Sequence, residues 1–247
     1  MEKEALQRTE MLLGSSAMRK LARSHVAVVG LGGVGSWCAE ALARSGIGEL
    51  TLVDCDEVGI SNLNRQLEAT LYTVGRPKPE AMEQRVAIVA PGCKVHSLYY
   101  RYTPETRETL FSAGPFDFIV DAIDLVSCKL DLIQTALERG IPILSALGTG
   151  NKVDPTRFQI TDITKTQVCP LARVVRKELR SRGILHHRVL WSDEEPIKVT
   201  FSVGTETPPP GRRSIPGSVA WVPSCAGLMI AGDVVLSLTE EERKNDT

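Results

Sequence analysis

A glycine-rich segment near the N-terminus has the composition of a nucleotide-binding loop. An apolar run and a helical pattern flank four of its glycines, Gly30, Gly32, Gly33 and Gly35. Glycines permit the tight turn between a strand and a helix, and the N–H groups that begin the helix face a phosphate. Asp54 ends the next apolar run, 19 positions after Gly35 (54 − 35), where a carboxylate can accept hydrogen bonds from ribose hydroxyls. The loop and this acid predict a nucleotide site, but they suit NAD as well as ATP.

The residues after Asp54 favour ATP over NAD as the bound nucleotide. Polar and cationic side chains follow it closely, namely Asp56, Asn62, Arg65, Gln66 and Lys78. A triphosphate requires positive donors, which Arg65 and Lys78 can supply downstream of the ribose carboxylate. A nicotinamide site requires no such pair. The ordered set therefore favours ATP, although each side chain taken alone would also fit a surface or capping role.

A third acidic position follows a later apolar run, which ends in Asp121-Ala122-Ile123-Asp124. The carboxyl ends of parallel strands meet at one edge of a sheet, so we expect Asp124 near the nucleotide phosphates. Oxygen ligands are those that Mg²⁺ prefers in proteins. Asp124 is therefore the predicted magnesium ligand, whereas Lys129 just beyond it either touches phosphate or only begins a helix.

Short apolar runs and helical patterns alternate between Ala17 and Leu144, and these elements position the candidate residues. The runs cover residues 25–29, 50–53, 95–99, 118–120 and 141–144. Such alternation predicts an α/β fold of the Rossmann-like, doubly wound class with a mostly parallel sheet. One helix opens on the glycine-rich loop, and another carries Leu130, Ile133 and Leu137 on one face.

The alternation of apolar runs and helical patterns ends near position 149. We expect the rest of the chain to be an elaboration of the same domain. It comprises a polar crossover at 151–166, a basic helix at 171–182, an exposed Pro/Gly-rich loop at 207–217 and an apolar helix at 226–238. The last helix is too short to cross a bilayer and is expected to pack in the core or against another subunit.

Composition excludes several function classes. Lys and Arg total 29 against 30 for Asp and Glu, so the net charge of -1 attracts neither nucleic acid nor an anionic membrane globally. The six cysteines include no Cys-x-x-Cys pair, which excludes a zinc ribbon. A charged N-terminus and the lack of an apolar run of about 20 residues predict a cytoplasmic protein without a membrane span.

Local positive charge is nevertheless concentrated in the basic helix. It carries Arg173, Arg176, Lys177 and Arg180, and helical spacing puts the three arginines on one face. Such a face can dock RNA phosphates by shape and charge. A solvated helix face balanced by acids elsewhere explains the same pattern equally well.

Residues 5–150, approximately, resemble the superfamily of ubiquitin-activating enzymes and bacterial adenylyltransferases for sulfur-carrier proteins. The resemblance implies that Gly32 and its neighbours face the α-phosphate and that Asp54 binds the ribose. It further implies phosphate contacts from Asn62, Arg65 and Lys78, and a magnesium ion on Asp124. Arg8 occupies the position of a family arginine that reaches into the partner subunit's active site, so the resemblance also implies a homodimer.

A narrower similarity covers nearly the whole chain and points to the tRNA threonylcarbamoyladenosine dehydratases. It is carried by residues 8–14, 32–36, 62–66, 121–124, 162–166, 169–172 and 216–224. The similarity implies an enzyme that uses ATP to activate the carboxylate of threonylcarbamoyladenosine in tRNA, and then closes a ring with loss of water. On this interpretation residues 1–247 form one ATP-binding adenylyltransferase-type domain, in which 151–247 serve tRNA docking and dimer contacts.

Other functions remain open from the sequence. One is an adenylyltransferase for the C-terminal carboxylate of a sulfur-carrier protein, with a sulfur-transfer partner protein, although the two Cys-x-x-Cys pairs of that group are missing. The same glycines fit an NAD-binding oxidoreductase, and a non-catalytic module could keep ATP structurally. A thioester on Cys169 or Cys225 is a further alternative, but no activating partner marks either cysteine.

Overall fold

Seven strands form one sheet in this computed structural model, which describes residues 3–199 and 216–245. They are β1 His25–Val29, β2 Glu49–Asp54, β3 Lys94–Tyr99, β4 Phe118–Asp121, β5 Ile143–Ala146, β6 Phe158–Asp162 and β7 Arg188–Ser192. Their order in the sheet is β3-β2-β1-β4-β5-β7-β6. Only β6 runs antiparallel to its neighbour, β7. The predicted Rossmann-like, doubly wound α/β class is confirmed.

Helices cover both faces of this sheet. They are α1 Lys3–Leu21, α2 Gly35–Arg44, α3 Lys78–Val89, α4 Arg107–Phe111, α5 Val126–Glu138, α6 Pro170–Ser181, α7 Trp221–Leu238 and α8 Glu240–Asn245. One apolar core joins the sheet to α2, α3 and α7, and a second joins its other face to α4, α5 and α6. Gly14, at φ 83°, kinks α1.

A crevice is expected where the chain reverses its direction of winding. Strand β1 lies between β2 and β4, so the chain first moves outward through β2 and β3 and then returns to β4 on the other side. The loops that follow β1 and β4 therefore leave neighbouring carboxyl ends in opposite directions. Ligands of open α/β sheets bind at this type of position.

The second half of the chain is more ordered than the sequence analysis predicted. The predicted polar crossover contains β6, and β7 was not predicted. Both strands are short, and β6 is an edge strand with Gln159 and Asp162 among its five residues, so its apolar signal is weak. Most of the predicted Pro/Gly-rich loop lies outside the described residues.

Helix α7 is longer than predicted, since it begins at Trp221 and not at Ala226. Pro223 lies in its first turn, where the missing N–H removes no helical hydrogen bond. With 18 residues and a mean hydropathy of 1.6, α7 is long and apolar enough to cross a membrane by these two criteria. Core helices meet the same criteria, and Ala226, Ile230 and Val234 of α7 are buried in the core beside α2.

Two glycines of α7 should respond oppositely to alanine. A Cβ at Gly227 would lie 2.4 Å from the Val34 carbonyl oxygen and 2.9 Å from the Cys38 nitrogen, whereas one at Gly232 would meet nothing within 4 Å. We expect Gly227→Ala to cost about 1–3 kcal/mol of unfolding free energy through overpacking. Gly232→Ala should leave that energy unchanged or raise it, because alanine is the better helix former. Thermal unfolding of both variants checks this, and equal Tm values would contradict the close helix crossing.

Candidate active site

The loop between β1 and α2 can only be built from glycine at two positions. Gly30 has φ +95°, and a Cβ there would lie 2.6 Å from the Ala122 carbonyl oxygen in the loop after β4. A Cβ on Gly35 would lie 1.8 Å from the Gly30 carbonyl oxygen. The two loops of the crevice are therefore in backbone contact, and α2 starts directly at their junction.

The space over Gly32, by contrast, is open. A Cβ there would meet no atom closer than Gln66 Nε2, at 4.0 Å. The start of α2 has no side-chain cap, although the Ser36 N–H already donates to the Gly32 carbonyl oxygen at 3.1 Å. The positive end of an uncapped helix favours an anion. The glycine at this position thus leaves a cradle that a phosphate group fits.

Asp54 fixes the shape of this loop. Its Oδ2 accepts a hydrogen bond from the Leu31 N–H at 2.6 Å, and its Oδ1 accepts one from the Asp56 N–H at 2.8 Å. A carboxylate has about four acceptor sites, so two remain for ligand hydroxyls. Asp54, Cys55 and Asp56 also place possible ion ligands within 4.8 Å of one another. The carboxylate oxygens of Asp54 and Asp56 suit Mg²⁺, whereas the Cys55 thiol does not.

Lys78 brings a positive charge to the same region from the first turn of α3. Its side chain is only 6% exposed, and Nζ lies 3.2 Å from Asp56 Oδ2. Glu68 is buried beside it, and neither of its carboxylate oxygens has a hydrogen-bond partner among the described residues. Burial raises the pKa of Glu68 to about 7, although the Lys78 ammonium opposes this shift.

Three polar residues between Asp54 and Lys78 in the sequence lie near the glycine loop. A Cβ built on Gly33 would lie 3.5 Å from Arg65 Cγ, and the Arg65 guanidinium donates to the Ser61 carbonyl oxygen at 2.8 Å. Gln66 is buried, and its Oε1 has no partner in the part of the chain that the structure describes. Asn62 Oδ1 accepts from the Gly59 N–H at 2.9 Å, which leaves the amide of Asn62 as a donor.

The carboxyl end of β4 contributes two acids with different environments. Asp124 is exposed in the loop after the strand. Asp121 is fully buried and pairs with Lys129 Nζ at 2.7 Å, while the same ammonium donates to the Ala146 carbonyl oxygen at 3.1 Å. Lys129 therefore links α5 to β4 and β5 through these two contacts.

A buried histidine extends this polar layer beneath the crevice. His187 Nε2 lies 2.8 Å from Ser145 Oγ. Burial lowers the pKa of His187 to about 3, and the Lys129 ammonium adds to the shift. The imidazole is therefore neutral at pH 7.

Two groups of predicted residues are not brought to this crevice. Arg8 is exposed on α1, whose Leu6 lies near Gly46 at the far end of α2 from the loop. In α6, Arg173, Lys177 and Arg180 are exposed, but Arg176 is not a free third guanidinium. It donates to the Thr166 carbonyl oxygen at 2.7 Å and to Thr166 Oγ1 at 2.6 Å. Arg176 is thus held by the turn at Thr166, and the RNA contact predicted for this face stays a prediction.

Sequence reasoning missed Glu68 and left the role of Lys129 ambiguous. Glu68 sits in a polar stretch, two positions after Gln66, and nothing in the sequence distinguishes it from a surface acid. The eight-residue separation of Asp121 and Lys129 gave a weak signal, because a strand end and the following helix can meet at that spacing.

Glu68 should make the stability of the protein depend on pH. In the folded protein its carboxyl keeps a proton up to a pKa of about 7, while the unfolded chain loses it near 4.5. The unfolding free energy that Glu68 contributes is thus lost as pH rises through this window. We expect Glu68→Gln to gain stability relative to the unaltered protein between about pH 5 and pH 8. Urea denaturation of both proteins at about pH 5 and about pH 8 tests this. A difference in unfolding free energy between them that did not change with pH would contradict it.

Comparisons with known proteins find relatives that match over most of the chain. The sequence pattern of the ThiF family matches residues 6–247. A tRNA threonylcarbamoyladenosine dehydratase of Bacillus subtilis is 46% identical over 95% of this chain and 94% of its own length. The crystal structure of the Escherichia coli tRNA N6-threonylcarbamoyladenosine dehydratase with ATP matches with a TM-score of 0.86 and 33% identity, over 98% of this chain and 96% of that one. The sulfur carrier protein ThiS adenylyltransferase of E. coli is 31% identical over 53% of this chain and 52% of its own length.

Proposed function

Because this chain belongs to the ThiF family, and within it to the tRNA threonylcarbamoyladenosine dehydratases, we propose that it uses ATP to dehydrate threonylcarbamoyladenosine in the tRNA anticodon loop to a cyclic form. The likeness over nearly the whole chain carries this proposal. The open cradle over Gly32, with Arg65 beside the neighbouring Gly33, supports it from the geometry.

The chemistry requires the carboxylate oxygen to become a leaving group. In the proposed first step this oxygen attacks the α-phosphorus of ATP, and pyrophosphate departs. A nitrogen or oxygen of the same modified nucleoside then attacks the activated carbonyl carbon and expels AMP, which retains the carboxylate oxygen. Both partners of the second step belong to one molecule, so orientation alone can lower its barrier by about 7–11 kcal/mol. No enzyme nucleophile is required, and Cys169 is buried.

The cations of the crevice have separate tasks in this scheme. Lys78 is held by burial and by Asp56, so it can meet developing negative charge on the phosphates without reorganising. Arg65 lies against the glycine loop and supplies a planar donor. Asp54 orients the loop and retains acceptor sites for the ribose.

We also assign a magnesium ion to the ATP complex, with Asp124 as its protein ligand. Bound there, Mg²⁺ would neutralise phosphate charge. The exposed Asp124 carboxylate and the Asp54–Asp56 segment offer the oxygen ligands that this ion prefers. Loss of activity on removal of Mg²⁺ by a chelator, and its return on addition, would test this assignment.

The proposed assembly is a homodimer in which Arg8 serves the partner's crevice. Arg8 is exposed on α1 and remote from the loop of its own chain, which agrees with action across an interface. A mixture of Arg8→Ala and Lys78→Met subunits should then regain activity, since one site of each mixed dimer has both residues. No recovery in mixed dimers would reject a role for Arg8 across the interface.

We further propose one domain over residues 1–247, with nucleotide contacts in about 5–150 and tRNA docking and dimer contacts in 151–247. The exposed side chains of Arg173, Lys177 and Arg180 are the proposed RNA contacts. Replacing them should weaken tRNA binding and its salt dependence, whereas ATP binding should not change. The cytoplasm is the proposed location, in agreement with six cysteines that form no disulfide.

The deciding experiment is mass spectrometry of nucleosides from threonylcarbamoyladenosine-containing tRNA after incubation with protein, ATP and Mg²⁺. We expect that nucleoside to lose one water in an ATP-dependent reaction that the Arg65→Ala variant does not perform. An unchanged nucleoside would reject the proposal. Pyrophosphate exchange that appears only with a sulfur-carrier protein would support the alternative of carrier adenylation.

A further inference from the structure

Three potential metal ligands meet at the amino edge of the sheet, away from the crevice. His25 begins β1, Glu49 begins the neighbouring β2, and His96 lies in β3. His25 is paired in register with Glu49, and His96 with Thr51. Because side chains alternate between the two faces of a strand, this register puts the two imidazoles and the carboxylate on the same face. One ligand atom from each lies within 4.8 Å of the others.

The distances between these three ligand atoms are close to those required around a bound metal ion. His96 Nε2 lies 2.5 Å from Glu49 Oε1, and His25 Nδ1 lies 4.0 Å from the same oxygen. A tetrahedral ion with bonds of about 2.0–2.2 Å would hold such atoms about 3.4 Å apart, so small side-chain rotations are sufficient. Glu49 and His96 are each 32% exposed, which leaves a path for the ion.

A neighbouring hydroxyl holds His25 in a suitable orientation. His25 Nε2 lies 2.8 Å from Thr51 Oγ1, and the Phe116 ring packs edge-on at 4.7 Å between centroids. When Nε2–H donates to Thr51, the lone pair of Nδ1 faces Glu49. Metal-binding histidines commonly donate their second N–H in this manner, which fixes the ring and its tautomer. Burial lowers the pKa of His25, which favours the neutral ring that a metal requires.

We propose that His25, Glu49 and His96 bind a divalent transition-metal ion of the zinc type, with water completing its coordination. Two imidazoles and one carboxylate are a donor set that zinc accepts, and imidazole excludes Mg²⁺ and Ca²⁺ as preferred ions. The proposed magnesium at Asp124 lies at the opposite, carboxyl edge of the sheet. The two ion sites are therefore distinct.

The Lys94 ammonium would compete with a metal ion for the Glu49 carboxylate. Its Nζ lies 3.0 Å from Glu49 Oε1, and its side chain is 65% exposed. A bound cation would displace this ammonium into water, so Lys94 should weaken metal binding. Removing the lysine charge is thus expected to strengthen binding, an effect that adventitious zinc on surface thiols would not show.

Calorimetric titration of Zn²⁺ into the intact protein, without tRNA or ATP, tests the site independently of the proposed function. We expect one ion per chain, affinity at least about 10-fold weaker in His96→Gln and in Thr51→Val, and tighter binding in Lys94→Met. Unchanged Tm values of the metal-free variants would show that they fold. Dehydratase activity of the variants should equal that of the unaltered protein.

Two outcomes would overturn the proposal. One is the absence of a stoichiometric binding step in the unaltered protein. The other is equal zinc affinity in the unaltered protein and His96→Gln, which would assign the ion to other groups such as the free cysteines.

Discussion

Replacing Lys78 by methionine is expected to lower kcat for ATP-dependent dehydration by about 10²–10³-fold, the usual cost of removing one preorganised donor from developing negative charge. Lys78 is buried and held at 3.2 Å from Asp56, so its ammonium is positioned before the nucleotide arrives. Methionine keeps the length and packing of the side chain but removes the charge. Single-turnover rates at saturating ATP would separate this loss of kcat from a change in KM.

The fold should tolerate this substitution, which makes the kinetic result interpretable. Asp56 is 60% exposed and becomes solvated when its partner is removed. Glu68 loses an opposing charge and simply keeps its proton to a higher pH. Lys20→Met is the control for loss of a paired lysine, because Lys20 lies 3.3 Å from Asp117 at the other edge of the sheet, although its side chain is 37% exposed. Normal kcat in Lys78→Met, or an equal loss in Lys20→Met, would contradict the role proposed for Lys78.

Much of the nucleotide half of the fold could be predicted because β1, β2, β4 and β5 are mostly buried and read as short apolar runs. All five residues of β1 are buried, and the predicted run matches the strand residue for residue. The prediction for β5 began two residues early, since Pro142 precedes the strand and gives no N–H to a sheet. The edge strand β6 alternates with polar residues and could not be distinguished from a loop.

The positions of the candidate site followed from the rule that functional residues gather at carboxyl strand ends. The glycine loop, Asp54 and Asp124 all follow such ends. What could not be predicted depends on contacts between distant segments. Helical spacing alone predicts that Arg176 lies on the same face as Arg173 and Arg180. In the folded chain its guanidinium donates a hydrogen bond to the Thr166 carbonyl oxygen. The same limit applies to the cluster of His25, Glu49 and His96, which only the pairing of three strands brings together.

Gly32→Ala is expected to lower kcat/KM for ATP by about 100-fold while leaving stability unchanged. A Cβ at Gly32 has free space in the protein, since the nearest atom is 4.0 Å away, but that space is the one proposed for a phosphate. Displacing a reacting group by about 1 Å can cost roughly 10²-fold in rate. Gly35→Ala behaves differently, because its Cβ would lie 1.8 Å from the Gly30 carbonyl oxygen and must distort the loop itself.

The comparison of these two variants separates the shape of the loop from the space over it. Gly35→Ala should lower both Tm and ATP binding, whereas Gly32→Ala should lower ATP binding alone. Thermal unfolding with and without ATP measures both quantities in one experiment, since a bound ligand raises Tm by mass action. If Gly32→Ala retained the full ATP-dependent rise in Tm, the phosphate would not lie over Gly32. The contacts proposed for Arg65 and Lys78 would then require a different placement of the nucleotide.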